Sequence, residues 1–375
     1  MTNPPPPGNW GPPQPGPQQP YGQGQPPYGP PGQWPQQPDW GPPPPPPKNN
    51  SLKWLLIGVA VLLVIAITVG ATLLFTRDGG GDPPTATENA PVAGDIASAN
   101  DTGPVTVITE DPTCAAWRPI ATTLSKQESQ GWQNRDFTTP GTAWTSEERA
   151  MHESVADAMR SAANETVALS KRTPHRVMRH LYEQSIAYWR KYADSVAKYT
   201  ENDNSYAVAA SNASSAIVSI CGAIEHGAAA ARAQLVETGD PPNSVSSVED
   251  SDDPQVFLPR PNNVCTEWNS ASDSFDQSIS DWQEFDANKP AGEWTPAERE
   301  IMLRAASKME DYSALLRNIG ERSDDPVFRD FSELAATYWL SYSKSLPTHI
   351  PSDNYLSATA AYVVYMLYHA CEAAD

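Results

Sequence analysis

The sequence predicts an all-α protein. A single transmembrane helix is followed by two tandem repeated four-helix bundles, each with one disulfide, and a disordered proline-rich tail precedes them. Three observations predict this. The stretch from Trp54 to Phe75 holds 22 residues without a charge. The chain matches itself at an offset of 150 residues. Beyond residue 112 apolar positions recur every three or four residues, which is the period of a helix face, and no alternating strand pattern appears.

The tail, residues 1–53, comes first. Of 39 prolines in 375 residues, 21 lie in the first 47, where Asp39 is the only charged residue. Such a segment has no aliphatic side chains to offset the entropy of ordering, so disorder with local polyproline II is expected. Trp10, Tyr21, Tyr28, Trp34 and Trp40 are spaced through it. It reads as a spacer or as a docking tail for a proline-recognising protein partner.

Residues 54–76 read as the membrane helix. At 1.5 Å per residue the apolar stretch spans about 33 Å, against roughly 30 Å of hydrocarbon, so the lipid bilayer is the first expected partner. Lys48 and Lys53 precede it and Arg77 follows it. The positive-inside rule then puts the N-terminus in the cytoplasm and the C-terminal part outside a single-pass cell membrane. All four cysteines lie beyond residue 113, on the oxidising side of that arrangement.

Residues 77–112 read as a flexible stalk, 112–236 as the first helical copy, 237–262 as a linker and 263–375 as the second copy. The copies align Trp132 with Trp282, Trp144-Thr145 with Trp294-Thr295 and Glu148-Arg149 with Glu298-Arg299. Tyr188-Trp189 aligns with Tyr338-Trp339 and Cys221 with Cys371, while one residue of slip aligns Cys114 with Cys265. Each second helix opens on a capping box, Thr145 with Glu148 and Thr295 with Glu298. In an up-down-up-down bundle the first helix starts where the fourth ends. The expected disulfides are therefore Cys114–Cys221 and Cys265–Cys371.

The last helix of copy two is apolar nearly all round, from Ala361 through Tyr362, Val363, Tyr365 and Tyr368. A helix apolar on every face is buried on every face. These residues are expected to form an interaction surface, with the small-residue helix of copy one (Ala209 to Ser215) or another protein as neighbour. Trp189 and Trp339 sit one step off the core face and are expected to reach a surface groove.

The tail PPPPGNWGPPQPGPQQPYGQGQ, the single span and the globular part beyond it resemble the proline-rich-tail single-pass membrane proteins of mycobacteria and related actinobacteria. The resemblance covers about the first 80 residues and implies a membrane-anchored protein with an exported part. It carries over no functional residue.

Net charge is −20, from 45 acids and 25 bases, which argues against nucleic-acid binding. No nucleophile elbow, phosphate loop or dinucleotide fingerprint occurs. The six histidines share no equivalent positions; each reads as a lone exposed histidine, and His180–Glu183 has the reverse order of a di-iron motif. No catalytic residue, metal or cofactor is assigned. The sequence thus points to a non-enzymatic exported helical protein for envelope-associated binding, sensing or scaffolding, with unknown protein partners. The alternatives are a ligand-binding receptor or enzyme using the aromatic grooves, and a purely structural spacer. A deep pocket with convergent polar groups at matching places in both copies would favour the receptor or enzyme.

Overall fold

The computed structural model describes residues 96–248 and 250–374. The tail, the membrane helix at 54–76 and the first part of the stalk lie outside the described residues.

Among the described residues the secondary structure is helical. Copy one has α1 (Cys114–Glu128), α2 (Ser146–Arg172), α3 (Arg176–Ser195) and α4 (Asn204–Glu225). Copy two has α5 (Cys265–Ser278), α6 (Pro296–Glu321), α7 (Pro326–Ser345) and α8 (Asn354–Ala374). In copy one α1 packs on α2 and α4, α2 on α3, and α3 on α4; α5 to α8 pack in the same cyclic order. Both second helices start as their sequence dictates. Thr145 Oγ1 accepts from the Glu148 amide and Glu148 accepts from the Thr145 amide, and Thr295 and Glu298 do the same. Each box satisfies two amides that the first helical turn leaves orphaned. Cys114 is bonded to Cys221 and Cys265 to Cys371, with Cα separations of 5.4 and 5.5 Å.

Two segments depart from the sequence reading. The described part of the stalk, 96–112, is not a free chain: Val105, Val107, Ile108 and Asp111 are buried. The linker is likewise packed down, with Ser251 and Leu258 buried. The two segments are the same element. Thr173 donates to Asp111 and the Thr113 amide donates to Asp111; at the equivalent positions Ser323 donates to Asn262 and the Val264 amide donates to Asn262. Each copy therefore begins with an N-terminal arm ahead of its first cysteine. Proline, glycine and serine content made the arms look like spacers; scattered apolar residues and one Asx cap each hold them down.

The copies meet along α4 and α8, which run antiparallel. Ser205 at the start of α4 donates to Glu372 at the end of α8 (3.5 Å), and Gly222 near the end of α4 lies against the Tyr355 ring at the start of α8. Position 205 is equivalent to 355, and 222 to 372. The two contacts are therefore one contact seen from either side, which is the signature of a two-fold interface. The residues from Glu201 to Glu225 are long and apolar enough to cross a membrane, yet most of that stretch is buried against the rest of the fold.

Candidate functional site at the seam between the copies

Along α3 the apolar face packs into copy one, and the opposite face carries Arg176, Arg179, His180 and Glu183. These four are buried as well, because α7 and both arms close over them. Arg176 donates through Nε and Nη2 to the two oxygens of Asp330 on α7 (2.7 and 2.9 Å). Its Nη1 donates to the carbonyls of Asp101 and Gly103 in arm one (2.7 and 3.2 Å), and its backbone amide donates to Asp101 Oδ2 (2.6 Å). Arg179 donates to Ser98 (3.0 Å) and to Glu183 (3.4 Å). Arm two supplies Ser251, which donates to Glu183 (3.3 Å), and Ser246, 3.1 Å from His180 Nε2.

His180 lies at the centre, 2% exposed. Its Nδ1 is 3.4 Å from Glu183 and its Nε2 is 3.5 Å from Asp330. Positions 180 and 330 are equivalent, so they face each other across the pseudo-two-fold axis. Burial pushes the imidazole towards its neutral form; hydrogen bonds with Asp330 and Glu183 outweigh that and leave its pKa above the usual histidine value. Burial raises Asp330 in turn, and the bonds from Arg176 and His180 more than reverse this, holding it below the ordinary aspartate value.

This cluster was not foreseen. His180 read as exposed, as did His152 and His349, and all three are buried. His152 stacks on Trp144 at 3.9 Å and hydrogen-bonds the Tyr192 hydroxyl at 2.7 Å; His349 stacks on Trp294 at 5.7 Å. The charged face of α3 carried the usual mark of a solvated face, and only the alignment of His180 with Asp330 hinted otherwise. Among the described residues no group of three or more His, Cys, Asp and Glu is arranged to hold a metal ion.

The residues expected at surface grooves are elsewhere. Trp189 and Trp339 are 0% and 3% exposed, so neither reaches a groove. Trp189 stacks on Trp117 at 6.1 Å, and Trp339 meets Phe275 edge-on at 5.1 Å. A single step off the apolar face still falls inside the wide stripe that a central helix buries. Val363 is fully buried; Tyr362, Tyr365 and Tyr368 are partly buried on α8, the helix that packs on α4. Tyr365 donates to Asp276 (2.7 Å), whose burial lifts its pKa to about 7.

Copy two has an open groove of about 740 Å³ between α5 and α6, floored by Phe275 and Tyr312 and edged by Leu315, Lys308 and Asp311. On the equivalent face of copy one Gln127 donates to Ser154 across the helices (2.7 Å), and Glu165 stands at the position of Leu315. The groove is therefore not built from residues shared by the copies.

Residues 96–375 match the model of the mycobacterial ESX-1 associated protein family. The chain belongs to this family. The match starts at arm one rather than at the first cysteine, in agreement with the arm being part of the folded unit. An uncharacterised protein of Mycolicibacterium smegmatis (strain MKD8) is similar to this family member, 40% identical over 346 residues covering 92% of each chain. No solved structure matches the present chain.

Proposed function

We propose that the chain is a membrane-anchored, exported helical scaffold or binding protein that works with the ESX-1 secretion machinery, without chemistry of its own. The family match carries the link to secretion: it covers the whole described helical unit, from arm one to the C-terminus. The two disulfides support an oxidising compartment for that unit. In this reading residues 54–76 hold the chain in the bilayer and the tail stays in the cytoplasm. The tandem bundles are then presented outside to protein partners. The inward-facing charges at the seam are spent on each other and on the arms, as in a rigid body that presents surfaces.

Two measurements test the reading. Reporters active only in the cytoplasm should light up when fused at residue 50 and stay dark at residue 110; the reverse pattern overturns the orientation. Deleting the gene should alter the set of proteins that leave the cell by ESX-1. The full chain should restore it, and a chain lacking residues 96–375 should not. An unchanged set on deletion removes the link to secretion.

The groove between α5 and α6 favours a second reading, a receptor for a partly apolar ligand. Ser274→Trp would fill the groove from α5. If that variant folds and fails to restore secretion, the receptor reading gains; full restoration removes it.

A further inference from the structure

We propose that His180 and Asp330 form a protonation-dependent clasp on the pseudo-two-fold axis, which holds both N-terminal arms and both copies together while the imidazole is protonated and releases the arms when it is not.

The geometry calls for an imidazolium. A neutral imidazole has one N–H and one lone pair. Here both ring nitrogens face carboxylates, Glu183 at 3.4 Å and Asp330 at 3.5 Å. The Ser246 hydroxyl, 3.1 Å from Nε2, can serve the lone pair of the Nδ1–H tautomer, but only the imidazolium donates towards both carboxylates in a site with almost no solvent. The charge count agrees. From α3 come Arg176, Arg179 and Glu183, from α7 Asp330, and from arm one Asp101. Two guanidinium groups thus meet these three carboxylates, with Asp325 as a fourth nearby, and the protonated His180 offsets part of the excess negative charge. Asp325 at the start of α7 also acts on His180 through its charge, while the described residues of arm two present the hydroxyls of Ser246 and Ser251.

The position on the axis matters. In a two-fold arrangement of identical copies a residue on the axis meets its own kind. Two histidines or two aspartates at positions 180 and 330 would repel when charged. The tandem chain instead carries one of each, and the attraction depends on one proton. Both arms are fastened to this cluster: arm one by Ser98 on Arg179 and Asp101 on Arg176, arm two by Ser246 and Ser251.

The sign follows from the raised pKa of His180. Its contribution is complete below the ordinary histidine value near 6.5 and is lost as pH rises through the higher folded value. Arm one holds 17 described residues from 96 to 112, so its release adds up to about 55 Å of reach. That this reach is measured from a membrane rests on the anchored reading above; the clasp does not.

The full chain in detergent micelles is followed by hydrogen–deuterium exchange between pH 5.5 and 9, with intrinsic rates corrected at each pH. Peptides from 96–112 and 240–262 should exchange at least tenfold faster at pH 9, while α2 and α6 stay protected. His180→Gln should make the arms exchange fast throughout, and His180→Lys, charged at every pH used, should keep them slow at pH 9. Arm protection independent of pH in the natural chain overturns the clasp. So does loss of protection in all helices together, which would be global unfolding. Because the lysine variant tests fit as well as charge, a titration of the chain with labelled histidine rings stands beside it. A His180 ring that titrates at or below the ordinary value overturns the clasp whatever the variants do. None of these readouts involves membrane orientation or secretion, so the clasp and the anchored reading fail separately.

Discussion

His152 stands where copy two has Met302, stacked on Trp144 and flanked by the tilted rings of Tyr192 and Tyr199. Burial, and then the Arg135 charge, pull its pKa down to about 4. The unfolded chain takes up a proton near pH 6.5 that the native chain refuses until about 4, so stability falls as pH drops through that window. His152→Met, which copies the other repeat, should remove this acid sensitivity, by at most about 3 kcal/mol at pH 4. Denaturant midpoints of the two proteins across pH 4–7 check it; parallel profiles would mean that His152 is not held neutral. Gly222 is a second decisive position. A Cβ there would fall inside van der Waals contact with the Tyr355 ring, so that ring, which stacks on His226, would have to move. Gly222→Ala should cost about 1–3 kcal/mol in unfolding experiments, whereas Gly239→Ala, with open space around it, should be near neutral. Neither effect was legible from the residues alone: a histidine within polar surroundings and a glycine in a small-residue helix look ordinary until their neighbours are known.

Among the elements, α2 and α6 were legible in full detail because their starts are local. A capping box needs only four consecutive residues, and both boxes form. Thr145→Ala and Thr295→Ala should each cost about 1 kcal/mol, and additively, since each box sits in its own copy. Chemical denaturation of the two single variants and the double variant measures this. Periodicity alone carries the first helices from their cysteines to about Arg135 and Phe285, which is too long. The chain after Glu128 turns at Gly131, whose φ of 112° suits glycine, into a short 3-10 turn at Trp132–Asn134. Helical periodicity does not distinguish a continued helix from such a turn. The arms were read as spacers for the opposite reason: their composition is that of loops, and their order comes from long-range partners such as Tyr338, whose hydroxyl oxygen accepts from the Ile108 amide (3.1 Å).

At the scale of the described fold, the pseudo-two-fold seam holds a cluster of buried charges around Arg176, His180 and Asp330. Removing one partner of a buried ion pair strands the other, so Arg176→Met alone should destabilise the protein by about 3–5 kcal/mol. Arg176→Met with Asp330→Leu should recover most of that loss, because no charge of that pair is then left unpaired. A double variant as unstable as the single would place the loss in the arm contacts of Arg176 or in the His180–Asp330 contact, which the double variant also removes. The exchange behaviour of the arms in the same variants separates the two.

By itself the sequence determined the helical class, the 150-residue internal match, the capping boxes and the placement of the cysteines at helix ends. These depend on local periodicity or on rare residues recurring at fixed spacing, and both can be read along one chain. Tertiary structure alone decided that Trp189 and Trp339 are core, that the arms belong to the folded unit and that the charged face of α3 is closed in. It also decided that α8 meets α4 and that His180 meets Asp330 on an axis between equivalent positions. The physical reason is that a charge or an aromatic ring has the same appearance in sequence whether it faces water or a partner 150 residues away. Only the packing of the second copy against the first distinguishes the two.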